Sequence, residues 1–407
     1  MATPPRPDVR RDVEAVAPGV IALRRQLHQH PELAFEETWT AATLAGHLRA
    51  LGLAVHEGIG GTGVLATLEG ARSGKTLLVR ADIDGLPMDD TTGRPYASTL
   101  AHRNHACGHD VHAAVVVGTA DVLARHRARL GGRVAFVFQP ADEPMRGALR
   151  MIEDGLLERL APDMSLSLHV LPMARVGQVV VQRGPIWASW DTRTLTISGP
   201  APTAAPTSFD VARIAAQVTT ALYDLVERER PSPDPVFFRV RSLHAEQRAD
   251  GDAAQAAVEV QLGRGRPSHA TLEVNLAVYD NALRARLLER LENVAGATAT
   301  AAGGTLESTA DYALPALVND EHVTGAVERA ARQVVGEANI VTNWRNRFSD
   351  GFGLFMRAAP GCLMLLGTAN PEKGITEIWH RPGFDVDEDA LPIGVEIMAL
   401  AALDLLR

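Results

Sequence analysis

Apolar positions at helical spacing open the chain. Val13, Val16, Val20, Leu23 and Leu27 repeat every few residues until Pro31 interrupts them, which predicts two helices within residues 9–51 flanking His30-Pro31-Glu32. Short runs at 63–68 and 76–79 then read as strands, the second entering Arg80-Ala-Asp82-Ile-Asp84-Gly-Leu-Pro87. A helix is expected from Asp110 past Leu123. Gly131-Gly132 ends it before a buried-type strand, 133–138, which stops at Gln139-Pro-Ala-Asp142-Glu143. A further helix, 147–159, leads to a strand at 165–169. Strands alternating with helices predict an α/β fold with a largely parallel sheet, in which ligand-bearing residues gather at the carboxyl ends of strands. Asp82, Asp84, Asp142, Glu143 and His169 occupy such positions.

Between Trp190 and Tyr312 the pattern changes. Residues 192–197 alternate, 209–226 are helical, and 236–243, 256–262 and 270–278 read as three successive strands, followed by a helix at 283–291 and a strand at 305–310. This predicts an inserted α+β domain, 190–312, with helices on one face of an antiparallel sheet, splitting another domain into residues 1–189 and 313–407. That second part resumes the alternation: a helix at 321–335, a strand at Ile340, a Gly-rich turn at Ser349-Asp350-Gly351-Phe352-Gly353, a buried strand around Leu363 and a closing helix from Ala390.

Composition narrows the partners. A chain of 407 residues with 46% hydrophobic and 22% charged residues forms globular domains, and its length favours two. A net charge of -9, with no basic stretch beyond scattered arginine pairs, weighs against nucleic acid. No apolar run approaches a membrane span, and residues 1–8 lack the apolar core of a secretion signal. Two cysteines far apart make no disulfide scaffold, so a reducing compartment, the cytoplasm, is expected.

The densest chemistry lies in His105-Ala-Cys107-Gly-His109-Asp110-Val-His112. A thiolate and an imidazole separated by one glycine suit a borderline divalent ion, although a buried cysteine beside a helix-capping histidine has the same spelling. Cys107, His109, Glu143, His169 and His380 together form a candidate ligand series on strand ends and turns, enough to hold two divalent ions. A water between them would be acidified enough to attack a carbonyl, provided a carboxylate accepts its proton, and Asp142 directly precedes Glu143. Cys107 as a nucleophile is the weaker reading, since it needs an orienting histidine pair. His105 and His112 read as residues that orient the loop, and Asp110 as a carboxylate favourable at a helix N-terminus.

These blocks resemble the M20 metallopeptidases, specifically the amidohydrolase branch of hippurate hydrolases, N-acyl-amino-acid deacylases and indoleacetyl-amino-acid hydrolases. The resemblance runs from about Arg24 to the C-terminus. It is carried by Leu27-His28-Gln-His-Pro31-Glu32, Arg80 to Pro87, His105 to Asp110, Phe138-Gln-Pro-Ala-Asp-Glu143, Met151-Ile-Glu-Asp-Gly155, Leu168-His-Val170, Pro360-Gly-Cys362, Asn370-Pro-Glu-Lys-Gly374 and His380 with Asp387-Glu-Asp-Ala-Leu-Pro392. It implies a zinc-peptidase-like catalytic domain interrupted by a satellite domain that forms a homodimer. It also implies Cys107, His109, Glu143, His169 and His380 as ligands of one or two Zn, Mn, Co or Ni ions, with Asp84 as a supporting aspartate beside Asp142.

Departures from the family pattern cluster around the substrate. Asp142 stands where the family has a glutamate as general base; retraction by one methylene, roughly an ångström, can cost about 10²-fold in rate. The family's satellite Gly-Gly-His-Ala-Ala-x-Pro-His stretch is Gly199-Pro-Ala-Pro-Thr203-Ala-Ala-Pro-Thr207 here, without either histidine. Gly263-Arg-Gly-Arg-Pro267 replaces Asn-Val-Ile-Pro, Ala277 takes the place of an arginine that grips a substrate carboxylate, and Asp350-Gly351 replaces Glu-Asp. His244 and His269 remain in the satellite. The expected activity is hydrolysis of the amide bond of a small N-acyl amino acid or related compound, with divergent substrate range. The alternative is a homologue impaired in hydrolysis, acting as an acyl or aminoacyl transferase or as a metal-containing binding protein.

Overall fold

Burial of the first helical stripe and the break at Pro31 produce α1 (Val9–Gln29) and α2 (Thr38–Ala50). The structure, a computed structural model, describes residues 9–199, 210–230, 235–246 and 269–407. The expected strand at 256–262, Thr203 with its flanking stretch, and Gly263 to Pro267 lie outside these residues.

Next come β1 (Ala54–Ile59), β2 (Gly63–Glu69), β3 (Arg72–Asp82), α3 (His109–Arg125) and β4 (Gly131–Gln139). The pattern missed β1 because its residues are mostly exposed and carry no regular apolar alternation, as suits an edge strand. The helix expected over 147–159 is two, α4 (Gly147–Glu153) and α5 (Leu156–Leu160), because Gly155 turns the chain at φ 80°. The strand expected to end at His169 continues as β5 (Met164–Arg175). There follow β6 (Val179–Val180), β7 (Gly184–Trp187), β8 (Trp190–Ser198), α6 (Val211–Glu229), β9 (Phe237–Glu246), β10 (His269–Ala277), α7 (Asn281–Ala301) and β11 (Thr305–Leu314). The chain closes with β12 (Leu317–Asn319), α8 (Glu321–Val335), β13 (Ile340–Val341), α9 (Phe352–Met356), β14 (Gly361–Ala369) and α10 (Ala390–Leu405). Part of the expected Gly-rich turn at 349–353 is thus the start of α9. Asp210, Asp280 and Asp320 cap α6, α7 and α8 by accepting a backbone N–H three residues on.

Two compact units result: Met1–Ile186 with Leu317–Arg345 and Asp350–Arg407, and Trp187–Ala316 with Asn346–Ser349. In the first, the described strands form a sheet in the order β1-β2-β4-β3-β5-β14-β6-β13. Its centre, β4-β3-β5-β14, is parallel as expected; β1 pairs antiparallel with β2, β2 with β4 and β6 with β14, while β6 and β13 are parallel. Helix α3 is buried almost all round and packs against α1, α10 and β3. In the second unit, the described strands are antiparallel in the order β11-β8-β10-β9. Leu195, Ile197, Leu272 and Val274 of the sheet share one core with Ile214 and Val218 of α6 and Leu287 and Leu291 of α7.

One buried ion network fixes where α3 begins. Arg24 of α1 is fully buried, and its guanidinium donates to Asp110 (2.8 Å), Asp385 (3.2 Å) and Glu388 (3.3 Å). His28, one turn on, lies 2.7 Å from the same Asp110 oxygen and 3.3 Å from Asp90. Burial by itself would raise the Asp110 carboxyl, but Arg24 and His28 outweigh it and hold the group well below the usual carboxylate range. Removing Arg24 takes away the guanidinium that Asp110, Asp385 and Glu388 share and leaves the buried Asp110 with His28 as its remaining partner. Arg24→Met is therefore expected to destabilise the protein by about 3–5 kcal/mol in denaturant unfolding. Because the folded Asp110 pKa is depressed, the stabilisation from this ion pair is present at neutral pH and is lost as pH falls below about 4. The gap between wild type and Arg24→Met should narrow over that range, and a gap independent of pH would contradict the assignment.

Candidate metal centre

The turn before α3 is shaped by Gly108, at φ 88°. A Cβ there would lie 2.6 Å from Val170 Cγ2, so only glycine fits between Cys107 and His109. His109 opens α3, and its Nδ1 is 2.9 Å from the Asp84 carbonyl oxygen and 3.0 Å from Asp84 Oδ1. Two acceptors there place the proton on Nδ1 and leave Nε2 as the donor atom for a ligand. That nitrogen lies 3.8 Å from Glu143 Oε1.

His169 lies on β5 beyond Ser167, the last β5 residue that pairs with β3, so it reaches past the end of its neighbour strand. Its Nδ1 donates to the Val170 carbonyl at 2.8 Å, and its Nε2 is 3.7 Å from Cys107 Sγ. His380 sits in a turn at φ 59°, anchored by its N–H to Ala106 O at 2.9 Å, with Nε2 3.5 Å from Glu143 Oε2. Two triplets result, Cys107-His109-His169 and Cys107-Glu143-His380, each with ligand atoms within 4.8 Å of one another. Cys107 belongs to both.

His112 also lies nearby, in a group with Asp82 and His109, but both of its nitrogens are engaged. Nδ1 donates to Asp82 at 2.6 Å and Nε2 accepts the Val170 N–H at 2.9 Å. It therefore ties the end of β3 to β5, an orienting task. His105 is wholly buried, and burial pushes its imidazole down to about 4. Asp84 is likewise fully used: Oδ1 faces His109 Nδ1, and Oδ2 accepts the Glu143 N–H at 3.0 Å.

Asp142 has one oxygen clamped. Oδ1 accepts from Arg80 Nη2 (2.5 Å), Gln139 Nε2 (2.7 Å) and the Gly351 N–H (3.2 Å), while Oδ2 has no hydrogen bond among the described residues. A Cβ on residue 351 would lie 2.7 Å from Oδ1, so the missing side chain at Gly351 makes room for this arrangement. Burial raises the Asp142 carboxyl, with Arg80 opposing and Asp82 adding. Asp350, 3.0 Å from Arg80, is pushed up to about 7 mainly by burial. Arg80 and Gln139 lie in the motifs quoted for the resemblance, but nothing in their spacing marks them as partners of Asp142; the cross-strand pairing of β3 with β4 does.

The donor set fits a cation. Glu143 Oε1 is buried with no hydrogen-bond partner, and burial pushes its carboxyl up to about 8, with Asp84 and Asp142 adding and His109 opposing. Burial also drives the Cys107 thiol well above its usual value and the His169 imidazole well below. A bound divalent ion would supply the positive charge that keeps Glu143 and Cys107 anionic, and a neutral imidazole is the form that ligates. All these residues belong to the first unit. Ala277, in the second, is buried beside Ala188 and Tyr279 and pairs with Phe237, while His244 is exposed on β9 and His269 is half-buried on β10.

Comparison with known proteins identifies the family. Residues 78–404 match the family described as Peptidase family M20/M25/M40. An N-acetylcysteine deacetylase of Bacillus subtilis is 31% identical, covering 95% of this chain and 97% of its own. Thermostable carboxypeptidase 1 of Saccharolobus solfataricus is 28% identical, with 97% of both chains covered. The YXEP protein of Bacillus subtilis, whose crystal structure is described as a dinuclear metal-binding peptidase of the M20 family, superposes with a TM-score of 0.79 at 29% identity, covering 97% of this chain and 99% of that one. This chain belongs to peptidase family M20/M25/M40 and is a metallo-hydrolase.

Proposed function

We propose that the enzyme hydrolyses the amide bond of a small N-acyl amino acid or related N-acyl compound. The reading is carried by the two ligand triplets that share Cys107 beside a carboxylate, Asp142, with one free oxygen. The N-acetylcysteine deacetylase among its relatives supports the N-acyl class. Cys107, His109 and His169 would hold one divalent ion, and Cys107, Glu143 and His380 could hold a second, from Zn, Mn, Co or Ni. Such ions supply a Lewis acid for the carbonyl and lower the pKa of water. Asp142 Oδ2 takes the proton of the attacking water and returns it to the leaving nitrogen as the C–N bond breaks, yielding a carboxylic acid and an amine. A carboxyl raised by burial suits a group that must both take and give a proton. Asp84 orients His109 and the Glu143 turn.

Residues 1–189 and 313–407 are assigned to the catalytic domain and 190–312 to a satellite through which two copies form a homodimer. The apolar surroundings of Ala277 support a substrate range that does not depend on a charged grip at that position. A cytoplasmic location suits a site that depends on a reduced Cys107.

Purified protein should carry about one or two transition-metal ions per chain. A panel of N-acetyl and N-benzoyl amino acids should show amine release that chelation abolishes and metal restores; no chelator-sensitive turnover on any of them would refute the reading. Gly351→Ala should push the Asp142 carboxylate aside and lower kcat by about 10²-fold with bound metal unchanged, measured by steady-state kinetics alongside metal analysis. Wild-type kcat in that variant would show that Asp142 does not work from the clamped position.

A further inference from the structure

The segment that delivers Asp142 and Glu143 is held in an unfavourable conformation. Ala141, between β4 and these carboxylates, is wholly buried at φ 49°, in the left-handed region that costs an alanine roughly 1–2 kcal/mol. Such a conformation persists only where surrounding contacts over-determine it. The Ala141 carbonyl accepts from the N–H groups of Arg146 and Gly147, at 3.2 and 3.0 Å, both within the same turn. A more distant partner is Glu37, at the start of α2: its Oε1 accepts the Ala141 N–H at 2.8 Å. Its Oε2 accepts the Thr62 hydroxyl, so both oxygens are engaged. Glu37 is a fully buried carboxylate 104 residues distant in sequence, and it makes no contact with any of the five ligand residues in these hydrogen bonds.

A buried charge is costly, and spending one on a single backbone N–H and a hydroxyl needs a return. We propose that Glu37 is a positioning residue for the reaction: it locks the left-handed Ala141 peptide and so sets the position of the Asp142 carboxylate and the Glu143 ligand that follow it. The inference rests on Asp142 as the base and extends that reading to a residue outside the ligand and base set. Neutral glutamine preserves the clamp, since its amide oxygen accepts from Ala141 and its NH₂ donates to Thr62. Alanine removes it. Glycine at position 141 adopts a positive φ without strain, so it reduces the need for a clamp.

The test is steady-state kinetics of the metal-loaded full chain on the best amide of the panel, with metal content and thermal midpoint measured on the same samples. Glu37→Ala should lower kcat by about 10- to 100-fold with KM within about twofold and metal content unchanged. Glu37→Gln should hold kcat within about threefold, and Glu37→Ala with Ala141→Gly should recover about tenfold of the loss. If Glu37→Ala folds poorly, Glu37→Asp, which keeps the charge and shortens its reach, is measured in its place, with the same direction of effect. Wild-type kcat in the shortened variant, a loss that Ala141→Gly does not relieve, or a loss proportional to lost metal overturns the proposal. Asp142→Asn separates the two claims. Retained turnover there refutes the base assignment itself, whereas its loss beside an unaffected Glu37→Ala refutes only the role of Glu37.

Discussion

The two-sided carboxylate of Asp84 is the contact on which the site depends. One oxygen faces the Nδ1 of His109 at the start of α3, and the other receives the Glu143 N–H in the turn after β4. Asp84 lies just past the end of β3, between the strand that feeds one ligand turn and the helix that presents the other. A single side chain thereby fixes the tautomer of one ligand and the backbone of another. Parallel pairing of β3 with β4 and β5 brings these carboxyl ends into line, which is why candidate ligands far apart in sequence meet at the end of the sheet's central strands.

Around that contact the site concentrates buried charge. Arg80 lies within ion-pair distance of Asp82, Asp142 and Asp350, and His112 takes up the remaining reach of Asp82. One guanidinium faces three carboxylates: burial pushes Asp142 and Asp350 up, as it does Glu143, with neighbouring carboxylates adding, whereas Arg80, His109 and His112 hold Asp82 well below the usual carboxylate range. Near the first turn of α3 the balance differs, since Arg24, together with His28, Arg94 and Arg25, faces Asp110, Asp385 and Glu388, and Asp110 is held well below the usual carboxylate range. The helix that carries His109 is thus pinned at its first turn from both sides. Gly351 shows how a departure from the family pattern is accommodated: the side chain it lacks would occupy the space where the Asp142 carboxylate turns toward Arg80.

Much of this was legible in the chain itself. Periodicity located α8 and the start of α10 nearly to the residue and found α1 and α2 as a pair broken at Pro31, because each buries one regular stripe or lies wholly in the core. It failed at β1, whose exposed residues carry no apolar alternation, and at Gly155, where a turn hides inside a helical pattern. Of the site, Cys107, His109, Glu143, His169 and His380 could be named because cysteine and histidine are scarce and their spacing is informative, and the structure brings all five together. Glu37 could not, nor could the contacts of Gln139 and Gly351 with Asp142. Their parts are contacts across the fold, between groups with no distinctive chemistry, and only the strand order makes them neighbours. Asp110 read as a helix-end carboxylate and does lie in the first turn of α3, but its place in a buried ion network with Arg24 and His28 was not legible. The comparisons place the chain among hydrolases and lend no support to the reading in which hydrolysis has been lost.

The central claim is that Cys107 sulfur is a ligand common to both halves of the centre. X-ray absorption at the metal edge of the zinc-loaded enzyme tests it most directly. The account requires a sulfur scatterer at about 2.3 Å beside nitrogen and oxygen at about 2.0–2.1 Å, with the sulfur shell lost in Cys107→Ser. A first shell of nitrogen and oxygen alone in the wild type, unchanged by that substitution, would contradict it.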